Sequence, residues 1–280
     1  MRTVIEINFD KTNELIEKFE KSITSPKIDK KKKLYTGIDL GTAFIVLAVL
    51  DEDKNPVCGA YEFANVIKDG MVVDYIGACD IVKKLKKQIE DKIGVELFDA
   101  GVAIPPNTES LDGGVVKNVA ESAGFNVVDV FDEPTAANKI LNLRDGAVVD
   151  IGGGTTGISI LKEGKVTKVV DEATGGTHFS LVLSGANKIS FEEAELLKRD
   201  FKKHSEIFPI VKPVVDKIIS IINKAIEGSE VNEIILVGGS ALLNNIENYI
   251  EDNIRIKTLK PKNPMFVTPL GIAMGIVEKR

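Results

Sequence analysis

Apolar positions along the chain change period several times, and each change predicts an element. Leu15, Ile16, Phe19 and Ile23 recur at helical spacing, so residues 1–25 are expected to form an amphipathic helix. Pro26 and "KIDKKKK" (27–33) then read as a solvated linker into the main body. Beyond it come apolar runs closed by turn residues. "LYTGID" (34–39), "AFIVLAVLD" (43–51) and "PVCGAYEF" (56–63) predict strands, with a hairpin turn at "EDKN" between the last two. Ile81, Val82, Leu85 and Ile89 share one face of a helix over 77–93, with lysines opposite. "AGVAIP" (100–105) is a strand stopped by Pro105 and Pro106, 112–124 a helix ending at Gly124, and "NVVDVF" (126–131) a strand. Pro134 suits the first turn of the helix that follows.

The stretch "VVDIGGGTTGISIL" (148–161) contains Gly152-x-Gly154-x-x-Gly157, the spacing of a dinucleotide fingerprint. A dinucleotide site needs a strand, a glycine turn and then a helix, whose N-terminus faces the pyrophosphate. Here the glycines lead into "ISIL", a turn at Gly164 and "VTKVV", which is a β-hairpin. An NAD site is therefore not expected. Residues 37–57 repeat the same grammar: an apolar strand, Asp39, an apolar residue, glycine, threonine, then a hairpin. Two such units predict two related lobes, each presenting one turn to a shared cleft. A third glycine turn, Gly238-Gly239-Ser240, follows the strand "EIILV" (233–237) and is expected to lead directly into a helix.

Composition narrows the function classes. The chain has 280 residues, enough for two domains or lobes, and 44% hydrophobic residues, enough for a core. Its net charge of −6 argues against general nucleic-acid binding. No apolar run approaches the roughly 20 residues that span a bilayer, and the N-terminus lacks a signal-peptide core, so a cytoplasmic location is expected. Cys58 and Cys79 read as separate buried thiols, and two histidines exclude a multi-histidine metal site.

Glycine turns let backbone amides approach an anion closely, and Thr42 and Thr155 add hydroxyl donors. An aspartate at each strand end would repel phosphate unless a hydrated Mg²⁺ lies between them. Asp39 and Asp150 facing each other thus predict a site for a metal–triphosphate complex. The P-loop pattern is absent.

In order, "GIDLGT" (37–42), "VFDEPTAAN" (130–138), "VVDIGGGTTGISI", "ILVGGSALL" (235–243) and "TPLGIAMG" (268–275) resemble the phosphate, connecting and adenosine motifs of the actin, heat-shock chaperone and sugar-kinase superfamily of ATPases. The compact size, "VIKDGMVVDY" (66–75) and the wording of the first motif most resemble the ethanolamine-utilization chaperone-like family, EutJ. The pilus-assembly actin-like protein PilM is a relative of that family.

The resemblance implies an α/β, two-lobed actin-like ATPase fold: a duplicated ribonuclease-H-like mixed sheet with flanking helices. Residues 1–33 would be an N-terminal helix and basic linker, 34–145 the first lobe with a connecting helix over 133–143, and 146–280 the second lobe. It implies ATP and Mg²⁺ as ligands, with Asp39 and Asp150 holding the metal, through water, and forming with Glu133 the catalytic carboxylates. Gly41, Thr42, Gly152, Gly153, Gly154 and Thr155 would hold phosphates, and Glu133 would orient the attacking water. Glu195, Lys198 and Arg199 would contact ribose and adenine, with Gly238, Gly239 and Ser240 forming the adenosine turn. A conformational switch acting on a protein client follows, in ethanolamine utilization or at a bacterial microcompartment, with the N-terminal helix a candidate docking element. Weak Mg-dependent ATP turnover, a nucleotide-sensing scaffold, a filament former and a small-molecule kinase stay open, as does the oligomeric state. No first-lobe lysine can be placed at the γ-phosphate, and Pro269 stands where the chaperones carry an acid. The sequence ends at Arg280 with the last motif, so the peptide-binding domain of the heat-shock chaperones is not expected in it.

Overall fold

The computed structural model describes residues 9–68, 71–104 and 112–280. Two five-stranded mixed sheets carry the fold. In the first, β1 (Leu34–Leu40), β2 (Phe44–Asp51) and β3 (Pro56–Phe63) form an antiparallel meander. β6 (Asp99–Ile104) and β7 (Asn126–Asp132) extend it in parallel on the other side of β1, giving the order β3-β2-β1-β6-β7. A short hairpin, β4 (Ile67–Lys68) with β5 (Met71–Val72), and the helix α2 (Tyr75–Ile93) join β3 to β6. The helix α3 (Asp112–Ser122) joins β6 to β7.

The second sheet repeats this order. β8 (Gly146–Ile151), β9 (Thr156–Lys162) and β10 (Lys165–Glu172) are the meander, and β11 (Glu233–Val237) and β12 (Lys257–Leu259) the parallel extension, in the order β10-β9-β8-β11-β12. Between β10 and β11 lie α5 (Gly176–Asn187), α6 (Phe191–Arg199), a single 3₁₀ turn and α7 (His204–Ile226), and α8 (Ile246–Ile254) precedes β12. The third glycine turn does not open directly into a helix. A 3₁₀ turn over Gly239–Leu242 comes first, and α8 starts only after Asn245, which takes a left-handed φ of 70°.

Two helices connect the lobes and exchange sides. α4 (Glu133–Leu141) leaves the first sheet, yet Ala137, Ile140 and Leu141 share a core with Val148, Leu161, Ile235 and Val237 of the second. Local chemistry starts it: the Asp132 carboxylate accepts from Thr135 N–H at 2.9 Å, and Pro134 sits in the first turn. α9 (Val267–Lys279) leaves the second sheet and packs on the first, with Ile272 and Ile276 against Tyr35, Ala103 and Phe131. Residues grouped with the second lobe by sequence thus cover the first.

α1 (Asp10–Thr24) joins this inter-lobe core instead of standing off it. Ile16 and Phe19 are fully buried, and the Phe19 ring lies so close over β3 that a Cβ on Gly59 would meet it at 2.4 Å. The helix also reaches second-lobe residues: Phe19 stacks edge-on against Phe266, Glu17 pairs with Lys262, and Glu20 accepts from Asn263. Its apolar face is therefore occupied, and in this arrangement it does not offer that face to a partner. Phe19→Ala is expected to lower stability by roughly 3–5 kcal/mol, the usual range for emptying a buried ring site, read as a lower denaturation midpoint. Both cysteines are buried free thiols, as expected.

Candidate functional site

Strand alternation aims the two aspartates. In β1, Ile38 and Leu40 enter the outer core of the first lobe, so Tyr35, Gly37 and Asp39 face the other way, toward the second lobe. In β8, Val149 and Ile151 face the outer core of the second lobe, so Val148 and Asp150 face the first. Each aspartate stands just before a turn closed by the same bond. Gly41 N–H donates to Phe44 C=O at 3.0 Å, and Gly152 N–H to Thr155 C=O at 3.0 Å. The turns touch: a Cβ on Gly153 would lie 2.9 Å from Ala43 Cβ and 3.2 Å from Thr42 Cβ.

The second turn is seated on the start of α5. Gly176 N–H donates to Gly152 C=O at 2.9 Å and Thr177 N–H to Gly153 C=O at 2.7 Å. Ser240 Oγ also donates to Gly152 C=O at 2.7 Å, tying the adenosine turn to the phosphate turn. These bonds occupy two carbonyl oxygens that would otherwise repel a phosphate. Gly238 (φ 86°) presses on Asp150 so closely that a Cβ there would meet Oδ1 at 2.2 Å.

A cavity of about 510 Å³ between the lobes is lined by Asp39, Gly41, Thr42, Glu133, Asp150, Gly152, Gly153, Thr155, Glu195, Lys198, Arg199, Gly238, Gly239 and Ser240. One residue expected at the phosphates stays out: Gly154 is buried behind the turn, against Gly175. Asp171 of β10, which the sequence reading did not single out, lines the cavity too.

The cavity is acidic. Burial pushes the Asp39 carboxyl up to about 7, helped by the charge of Asp150. Burial, and then Asp171, push Asp150 up to about 6. Glu133 is raised well above the usual carboxylate range by burial and by Asp150, Asp39, Asp171 and Asp132. Among the described residues only Lys198 and Arg199 bring positive charge to the lining, and both come from α6. The Lys198 ammonium is depressed by burial and held by Glu195 and by Gly176 C=O at 3.0 Å. Glu195 is largely committed, accepting from Ser180 Oγ as well as Lys198. Arg199 reaches across the mouth and stacks on two first-lobe rings, its guanidinium 4.4 Å from the Phe63 centroid and 5.9 Å from Phe44.

His204 is a second residue that sequence reading missed. Its Nδ1 accepts from Asn244 N–H at 3.0 Å, which leaves Nε2–H to donate to Lys198 C=O at 2.9 Å. It thereby fastens the end of α6 to the adenosine turn. A lone histidine at a helix start carries no pattern that would have revealed this.

The residues present fit a hydrated divalent cation. Crowded carboxyls of raised pKa are relieved either by protons or by a cation, and phosphate could approach their ionised form only with a cation between. No group of three or more His, Cys, Asp or Glu side chains among the described residues is placed to hold a metal ion. A hydrated Mg²⁺ needs only one or two carboxylates, which Asp39 and Asp150 would supply through its water.

A duplicated mixed sheet, two opposed acidic turns and exchanged connecting helices define the actin-like ATPase fold, and this protein is of that class. Family models described as cell division protein FtsA and as MreB/Mbl protein match residues 147–271 and 59–184. The chain belongs to the ethanolamine utilization protein EutJ family. It is 42% identical over 247 residues to the ethanolamine utilization protein EutJ of Escherichia coli (strain K12), covering 88% of this chain and 87% of that one. The crystal structure of EutJ from Carboxydothermus hydrogenoformans matches with a TM-score of 0.88 at 43% identity, over 94% of this chain and 97% of that one. MreB5 of Spiroplasma citri bound to ADP shares the fold, with a TM-score of 0.71 at 19% identity over 88% of this chain and 96% of that one.

Proposed function

We propose that this chain binds ATP with Mg²⁺ between its lobes and serves as a conformational switch for protein partners in ethanolamine utilization or microcompartment assembly. The observation that supports this most is the single cavity that collects both acidic turns, Glu133, α6 and the adenosine turn. In this reading the free amides and hydroxyls of Thr42, Gly153 and Thr155 hold the phosphates, on turns that Gly41 and Gly152 close with their own N–H groups and line with their backbone. Asp39 and Asp150 hold the water shell of the metal, and Glu133 orients a water at the γ-phosphate. Lys198 and Arg199 take the ribose and base against Gly238, Gly239 and Ser240. Mg²⁺, when bound, would neutralise the acids and the phosphates together. Ligand contacts drawn from both lobes favour one lobe angle over another, which is what a partner could read. A cytoplasmic location goes with this reading, and no helix among the described residues is long and apolar enough to cross a membrane.

The test is thermal stability with and without Mg-ATP. An excess of about a hundredfold over Kd should add about 2.7 kcal/mol. No shift at millimolar Mg-ATP would overturn the reading.

A nucleotide-sensing scaffold with little hydrolysis is the second reading, and one observation favours it. No cation from the first lobe lines the cavity among the described residues. Phosphoryl transfer depends on charge stabilisation, so turnover on the order of 10⁻² s⁻¹ or slower is expected. A phosphate-release assay at saturating Mg-ATP separates the two: fast turnover would leave only the first.

A further inference from the structure

The lobes repeat each other strand for strand, so a position where they differ marks something only one lobe does. In the first lobe the row across the meander at the acidic position is Asp39, Val46, Tyr61. Val46 is 1% exposed and fills the middle seat. In the second lobe the same row is Asp150, Gly157, Asp171. Residues directly opposite in antiparallel strands share one face of the sheet. Both carboxylates therefore rise from the same face, on either side of a residue with no side chain. The one close neighbour a Cβ on Gly157 would meet is Asp171 Oδ1, at 3.6 Å, so that carboxylate reaches over the open seat. All three residues line the cavity.

A bulge puts Asp171 there. β9 and β10 leave their turn with Val166 opposite Leu161, but the register slips by one residue between Val166 and Lys168. Continued without the slip, that pairing would set Asp171 opposite Thr156, on the other face of the sheet. Such slips re-aim side chains.

We infer that Asp171 is a positioning residue for the hydrated cation: from the outer strand it holds, opposite Asp150, the second-lobe side of the cation's water shell, through the seat that Gly157 leaves open. The inference rests on the nucleotide reading proposed above. One aspartate can fix one edge of a water shell, and a second across a gap fixes its orientation. A missing outer-shell partner typically weakens metal affinity about 10–100-fold.

The experiment titrates MgCl₂ at fixed ATP and follows thermal stability in the wild type, Asp171→Asn and the double variant Gly157→Asp/Asp171→Asn. Asp171→Asn should raise the Mg²⁺ concentration at half-effect about tenfold or more. Its ATP affinity in EDTA should hold or tighten, because a negative charge near the phosphates is gone. A merely structural role would weaken binding with and without the metal alike. The double variant returns a carboxylate to the same gap from the middle strand and should recover most of the Mg²⁺ response. A Mg²⁺ midpoint in Asp171→Asn within about twofold of wild type, while ATP still stabilises both, would overturn the inference alone. Equal loss in EDTA and in Mg²⁺, or a double variant no better than Asp171→Asn, would also overturn it. A wild type that ignores Mg-ATP would overturn the proposed function, and this inference with it.

Discussion

Gly271→Ala is expected to lower stability by about 3 kcal/mol, at the top of the usual overpacking range, a fall of about 10 °C in Tm for a chain of this size. The added methyl would lie 1.9 Å from the carbonyl oxygen of Ala136 and 2.5 Å from its carbon. Both atoms are α4 backbone, which cannot rotate away as a side chain can. α9 cannot retreat either, because its other side is just as tight: the missing Cβ of Gly37 in β1 would fall 2.1 Å from Pro269 C=O and 2.7 Å from Ala273 N. α9 is thus wedged between the first sheet and α4, and one methyl must force the connecting helices apart. These helices join the two lobes that frame the cavity, so the Mg-ATP stabilisation should shrink in parallel. Gly185→Ala is the control. It lies in α5 with nothing within 4 Å of the added atom, so it should be neutral or gain up to about 1 kcal/mol from helix propensity. Calorimetry of both variants decides the matter, and near-equal Tm values would refute the wedge.

Asp150→Asn should act in two opposite directions, stabilising the ligand-free protein and abolishing its response to Mg-ATP. The folded-state pKa values of Asp150 and Asp39, about 6 and about 7, lie above the unfolded value of 3.8. For a raised carboxyl the folded state binds the extra proton. Its stabilising contribution is complete below about pH 4 and is lost as pH rises through about 6 to 7. Ligand-free Tm should therefore fall across that window as the two acids ionise side by side. Asp51 and Glu278 are pushed up by burial but brought below the usual carboxylate value by their combined hydrogen bonds and lysines, and they lose their contribution instead as the medium is acidified.

A rise from 3.8 to about 6 corresponds to about 3 kcal/mol, and the half-buried position of Asp150 discounts this to about 1–2. Asp150→Asn should recover that amount near pH 7 and flatten the slope. It should also forfeit the roughly 2.7 kcal/mol that Mg-ATP gives at a hundredfold excess. Wild-type stabilisation by Mg-ATP should grow with pH, since the cation takes the place of the protons. Tm at pH 5 and pH 7.5, with and without Mg-ATP, tests all four statements. An Asp150→Asn protein still stabilised by Mg-ATP would remove this aspartate from the site.

Much of this was readable along the chain. Alternation in "LYTGID" and "VVDI" puts Asp39 and Asp150 on one face at a strand end, because side-chain direction in a strand follows from sequence spacing alone. The glycine-threonine turns, the capped start of α4 at Asp132-Glu133-Pro134 and the repeat of one hairpin in two lobes are local in the same sense. What sequence could not determine depends on register and on distant contacts. α7 is an exception: despite Pro209 and Pro213, Val211, Val214, Val215, Ile218 and Ile222 recur at helical spacing, so its buried face is legible along the chain. Arg199 meets Phe63 and Phe44 only because the lobes close on each other. His204 finds Asn244 only because α7 starts beside the adenosine turn. α1 looks like a detached amphipathic helix until both lobes are present to cover Ile16 and Phe19. Asp171 is the sharpest case: its spacing from Gly157 is in the sequence, but a single bulged residue decides which face of the sheet receives it, and bulges are set by the pairing of whole strands.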